Sequence, residues 1–323
     1  MTMTPEQAAW FQGTFSRLVD NIDRAVLGKR EVVGLVLSAM LAEGHVLLED
    51  APGTGKTSLA KALAATVQGT SSRIQFTPDL LPSDVTGVTI YDQTSHKFEF
   101  HKGPVFASIV LADEINRASP KTQSSLLEVM EESRVTVDGV THEAGRPFLV
   151  IATQNPIEQA GTYKLPEAQL DRFLIRTSIG YPDLAVAERI LAGASDRNPS
   201  SSLPAIITTG AVADMADLAA TVHVEGAVLR YTAQLSEATR TDAATQLGVS
   251  VRGSLAMIRI AKVWAAAQGR HFVTPDDIKA LAAPVWTHRL VLDPEAEFAG
   301  TTAETVISRV LEDVAAPQAR SAA

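Results

Sequence analysis

Between residues 45 and 180 short apolar runs alternate with stretches of helical periodicity. Beyond Tyr181, Pro182 and Asp183 the short runs stop and helical periodicity alone continues. The runs at 46–49, 73–77, 108–112, 148–152 and 173–178 are too short for helices and mostly apolar throughout, as expected of strands buried on both faces of a parallel sheet. Residues 6–42 predict helices with a break near Gly28, and 58–67 another helix. Residues 88–91 and 97–100 instead alternate apolar and polar around the polar turn 92–96, which predicts a β-hairpin inserted between the second and third core strands. A second hairpin is predicted over 134–143, with Asp138 and Gly139 at its turn. After residue 183, helices are predicted at 184–194, 209–221, 225–240, 252–268, 275–290 and 303–315, with no strand among them. Thr274, Pro275, Asp276 and Asp277 make a strong helix start. Residues 195–204 predict a polar loop and 316–323 a disordered tail. The pattern divides the chain into an α/β unit, 1–182, and an all-α unit, 183–323.

Chemistry enters at the first apolar run. His45, Val46, Leu47 and Leu48 lead directly into DAPGTGKT, residues 50–57, and then into a helix. Strand, glycine-rich turn and helix N-terminus form a cradle in which backbone N–H groups point at phosphates. The candidate phosphate-binding residues are Pro52, Gly53, Thr54, Gly55, Lys56, Thr57 and Ser58. Lys56 is expected on the β- and γ-phosphates, and the Thr57 hydroxyl on magnesium. The strict pattern asks for glycine where this chain has Asp50; Asp is among the few other residues that enter the left-handed region readily.

Four further signals follow. The run 109–112 ends in Asp113 and Glu114. Alone such a pair is ordinarily two solvated acids. Placed one or two βα units after Lys56, Asp113 is expected in the magnesium shell and Glu114 on the attacking water. The run 148–152 ends in Thr153, Gln154 and Asn155; Asn155 could bond both the γ-phosphate and that water, or simply serve the turn before Pro156. Arg172, just before the last core run, could reach a neighbouring subunit's nucleotide, or pair with Asp171 or Glu167. Arg252, opening a helix of the second unit, could contact the γ-phosphate, or be an exposed helix-start residue.

These signals occur in the order found in AAA+ ATPases, and their wording resembles one branch, the MoxR family. The matching blocks are RIQFTPDLLPSDVTG at 73–87, KGPVF at 102–106, LADEINRA at 111–118, PKTQ at 120–123, VTVDG at 135–139 and ATQNP at 152–156. The resemblance runs from about Val26 through the helical unit. It implies a P-loop AAA+ core, a parallel sheet flanked by helices with an inserted hairpin, followed by an all-α helical lid. It implies an ATPase using ATP and Mg2+. Thr57 and Asp113 would hold the metal, Glu114 would act on water, and Asn155 would be the first sensor. Arg172 would be an arginine finger and Arg252 a second sensor. Gly28, within the segment 26–29, would lie near the adenine. The family further implies a homo-oligomeric ring, expected to be a hexamer, and chaperone-like maturation of a partner carrying a von Willebrand factor A domain. The hairpin would face the pore or client side, and hydrolysis would swing the lid against the core. A metal-chelatase-type or DNA-acting AAA+ motor subunit is the alternative.

Composition narrows the partners. The chain has 323 residues, 46% hydrophobic and 20% charged, with a net charge of −9. That acidic total and the lack of a dense Lys/Arg cluster argue against a general nucleic-acid surface. No apolar run approaches the ~18 residues of a membrane span, and no secretion signal opens the chain. With no cysteine there is neither a disulfide framework nor a thiolate metal site. A cytoplasmic location is expected. The seven histidines include no helical i, i+4 pair, so no protein-borne metal site is expected.

Overall fold

The computed structural model describes residues 2–94, 96–155, 162–192 and 203–317. Helix α1 (Pro5–Asp23) opens with a capping box between Thr4 and Gln7. A break containing Gly28, at φ +72°, leads to α2 (Arg30–Leu41). Then come β1 (Val46–Glu49), α3 (Lys56–Thr66), β2 (Ser71–Gln75), α4 (Pro82–Thr86), the hairpin β3 (Gly87–Asp92) and β4 (Lys97–Lys102), and β5 (Ile109–Asp113). Helix α5 (Pro120–Glu132), the hairpin β6 (Arg134–Val137) and β7 (Val140–Glu143), β8 (Leu149–Gln154), α6 (Glu167–Leu170) and β9 (Ile175–Thr177) complete this part. The remainder comprises α7 (Leu184–Ala192), α8 (Thr209–Ala220), α9 (Gly226–Thr241), β10 (Thr245–Leu247), α10 (Val251–Ala267), α11 (Pro275–Trp286), β11 (Val291–Leu292), α12 (Pro294–Phe298) and α13 (Ala303–Asp313).

The five core strands form a parallel sheet in the order β2-β5-β8-β1-β9. Strands β1, β5 and β8 are buried along nearly their whole length, as continuous apolar runs require. The second strand lies two residues earlier than its apolar run suggests. It occupies a sheet edge, where Ser71 and Ser72 can face solvent and the apolar signature weakens. The helical part also holds a small antiparallel pair, β10 with β11, where no strand was expected. Runs of three and two residues are too short to show a period. The expected polar loop and tail fall largely outside the described residues.

Both predicted hairpins form. The base of the first is closed by two glycines. A Cβ on Gly87 (φ +105°) would meet the His101 carbonyl oxygen at 2.3 Å, and one on Gly103 would meet that of Val85 at 2.4 Å. Only bare backbone permits this approach.

One apolar core runs through α1, α2 and α3, one face of the sheet, and α8, α9, α10, α11 and α13. A second, on the other sheet face, is built around α5, with Phe76, Leu126, Leu127 and Phe173.

Two histidines are buried in this scaffold. His45 Nδ1 accepts the Val150 amide (3.0 Å), so its proton sits on Nε2, which bonds the Met130 carbonyl (2.9 Å). Burial pushes its pKa down to about 4. His288 is held well below its ordinary value by burial and then by Arg289. The unfolded chain takes up these protons near pH 6.5, whereas the native state refuses His45's until about pH 4. Stability is therefore full above ~6.5 and declines as pH falls toward 4, by ~3 kcal/mol from His45. We predict a melting temperature that drops from pH 7 to pH 4.5, less steeply in His45→Gln. An identical slope in the variant would remove His45 as a cause.

Candidate nucleotide site

The sequence-predicted residues fall at two opposite ends of the sheet. At the C-terminal end, β5, β8 and β1 are neighbours, so Glu114, Asn155 and the loop after β1 emerge side by side. In that loop Gly53 and Gly55 hold φ of +83° and +96°, and a Cβ on either would point into open space. Gly55 precedes α3, whose N-terminus has no side-chain cap. Its first N–H groups are left for an anion, with Lys56, Thr57 and Ser58 in the first turn. Lys56 Nζ donates to the carbonyls of Asp50 and Ala51, at 3.1 Å each.

Asp50 fits the loop for a reason other than a left-handed backbone, since its φ is not positive. Its buried carboxylate instead accepts the amides of Ile179 (2.7 Å) and Gly180 (2.8 Å). A glycine could not make these bonds, which staple the loop to the chain leaving β9. Gly28 lies at the same end. Lys29 Nζ donates to the Tyr181 carbonyl at 2.9 Å, and a Cβ on Gly28 would crowd Val186 of α7 at 2.8 Å.

Asp113 and Glu114 are not solvated strand-end acids. Their side chains are 13% and 25% exposed. Asp113 accepts from Arg73 (2.6 Å) and Thr153 Oγ1 (2.7 Å), and Thr153 Oγ1 in turn accepts the Glu114 amide (2.8 Å). Glu114 sits at φ +56°, an uncommon backbone state for a non-glycine residue. Its carboxylate accepts from Gln75 and Arg117, each at 2.9 Å.

Arg172 and Arg252 lie at the other end. Arg172 precedes β9, and the Leu174 amide bonds the carbonyl of His45 at the start of β1. The four residues of β1, ~13 Å of strand, separate that level from the phosphate loop. Here Glu131 of α5 meets both arginines, 3.1 Å from Arg172 and 2.6 Å from Arg252. Arg172 therefore pairs with neither Asp171 nor Glu167, and Arg252 is no idle helix-start residue. These arginines line a cavity of about 370 Å³ together with Arg259, Arg289 and Glu43.

Comparison with known proteins decides the family. A model described as "ATPase family associated with various cellular activities (AAA)" matches residues 45–175, and an AAA lid domain model matches 237–310. The chain is 41% identical to Chaperone MoxR1 of Mycobacterium tuberculosis, over 94% of this chain and 83% of that one. It belongs to the MoxR family of AAA+ ATPases. Protein YeaC of Bacillus subtilis is 46% identical over 95% of this chain and 96% of its own length. The crystal structure of a Cytophaga hutchinsonii protein superposes with a TM-score of 0.91 at 36% identity, covering 97% of this chain and 98% of that one.

This MoxR-family chain is accordingly a nucleotide-binding ATPase. The open loop and uncapped helix start fit a polyphosphate, and a hydroxyl with a carboxylate, Thr57 and Asp113, is the oxygen donor set that magnesium prefers. Among the described residues no group of three or more His, Cys, Asp or Glu could hold a metal, and no helix is long and apolar enough to cross a membrane. Several contributors carry weak sequence signals. Gln75 and Arg73 could have been found from the strand-end rule, since β2 pairs with β5 in the register Gln75 to Asp113. Glu131 had none, because it meets its arginines only through the fold.

Proposed function

We propose that this ATPase works as a ring, with each ATP held between one subunit's Lys56 and Glu114 and the next subunit's Arg172 and Arg252. The observation carrying this reading is the separation of the parts. Catalytic carboxylate and phosphate loop share one end of the sheet, and both arginines share the other. In this arrangement a chain's own arginines stand away from its phosphate loop, whereas a head-to-tail neighbour would present its arginines to that loop. A hexamer is the closure we favour. In it, Lys56 leaves its loop carbonyls for the β- and γ-phosphates, and the α3 N-terminus holds the phosphate oxygens. Glu114 exchanges Gln75 and Arg117 for the attacking water and takes up its proton. Asn155 orients that water from the neighbouring strand end. As the water oxygen bonds phosphorus, the bond to the β-phosphate breaks, and Arg172 meets the charge spreading over the equatorial oxygens. Magnesium, on Thr57 and Asp113, would screen the phosphate charge. Gly28 and its surroundings would receive the adenine. Division of the chain at residue 182 into core and lid belongs to the same proposal.

We further propose a chaperone-like role on a partner with a von Willebrand factor A domain, in the cytoplasm. Support comes from the name of the M. tuberculosis relative, a chaperone, and from the exposed apolar side chains of the first hairpin, Val88, Ile90, Tyr91 and Phe98. Such a patch suits transient contact with protein. Capture from a lysate with Glu114→Gln and ATP, followed by mass spectrometry, is expected to retain a von Willebrand-type protein. Loss of that partner when Phe98→Ser is added would tie it to the hairpin. Retention of nucleic acid or of porphyrin-handling subunits instead would favour a different motor class.

A further inference from the structure

Residues of the helical part converge on the segment that carries Arg172. Ser250 Oγ donates to Asp171 Oδ2 at 3.1 Å while capping α10. His288 Nε2 lies 3.0 Å from the Phe173 carbonyl. Arg289, with a side chain 2% exposed, reaches further than either. Its Nε donates to Asp171 Oδ1 (2.7 Å). Its terminal nitrogens donate to the carbonyls of Asp171 (3.2 Å), Phe173 (2.6 Å), Leu174 (3.3 Å) and Val285. One guanidinium thus holds the carbonyls on both sides of Arg172 and the carboxylate next to it, leaving the Arg172 side chain to Glu131.

We propose that Arg289, acting with Asp171, positions Arg172 for the neighbouring subunit's nucleotide. It links the helical part to the finger rather than to the chain's own phosphate loop. The physical ground is geometric. A finger gains its effect from position, since a misplacement of about 1 Å can cost ~10²-fold in rate, and a planar fork with five donors fixes backbone carbonyls in a way a lysine cannot. The interaction is buried, so it is rigid and little screened, unlike the half-exposed pair of Arg172 with Glu131. This role rests on Arg172 acting in trans.

The test is a mixed assembly of full-length chains. Asp171→Asn keeps shape and volume but loses the charge that Arg289 holds; Arg289→Lys keeps charge but loses the fork. Each is expected to lower kcat at least ~10-fold while KM for ATP changes less than about twofold. Each is then mixed 1:1 with Glu114→Gln subunits, which have a dead site and an intact finger. About a quarter of the interfaces pair a live site with a live finger in such a head-to-tail ring. Activity should rise to roughly that fraction of wild type, well above the mean of the parents. Damage to the variant's own site or fold would not be relieved in this way. Wild-type kcat in the two variants would overturn the proposal, as would a loss that mixing does not restore while Arg172→Ala is restored under the same conditions. If Arg172→Ala itself fails to complement Glu114→Gln, the in-trans reading falls first and this role falls with it.

Discussion

Glu114→Gln is expected to bind ATP within about twofold of wild type and to release phosphate ~10²–10³-fold more slowly. An amide keeps the size and the hydrogen-bonding shape of the carboxylate but cannot accept the water's proton, and a positioned general base contributes a factor of that order. The fold should tolerate the change. Glu114 is partly exposed, and both its partners, Gln75 and Arg117, can donate to an amide oxygen as well. Its left-handed backbone also costs Gln no more than Glu. Equilibrium ATP binding and single-turnover phosphate release on the same preparation separate the two effects. Normal turnover would show that another group handles the water.

Arg172→Ala is expected to lose ~10³-fold in turnover once assembled, as arginine fingers do elsewhere, yet to bind nucleotide normally as a separate subunit. The reason is position: Arg172 is a full strand length from its own Lys56. Stability should hardly move, because the pair with Glu131 is half-exposed and such pairs are worth little. Turnover per subunit that stays at the wild-type value across all protein concentrations would contradict a role between subunits.

Much of this architecture could be read from residue patterns, for identifiable reasons. Strands β1, β5 and β8 were plain because burial on both faces writes itself as an unbroken apolar run. The glycine-rich turn was plain because a positive φ favours glycine, and Gly53 and Gly55 hold one. What the sequence concealed depended on long-range partners. Asp50 looked like a tolerated defect, and its value became visible only when Ile179 and Gly180 arrived above it. Arg172, a candidate for a neighbouring subunit's nucleotide, and Arg252, a candidate for the γ-phosphate, looked unrelated until Glu131 gathered both at the far end of the sheet. Thr153 was one polar residue in a strand end. Only the register beside β5 makes its hydroxyl the joint between Asp113 and Glu114.

The larger apolar core, which joins the N-terminal helices, one sheet face and five later helices, resists any motion that would open it. Hinging these layers apart would bring oily surface into contact with water at ~25 cal/mol per Å². Every 200 Å² uncovered would then cost about 5 kcal/mol. A lid that swings against the core during hydrolysis is therefore expected to slide with this layer kept covered rather than to gape open.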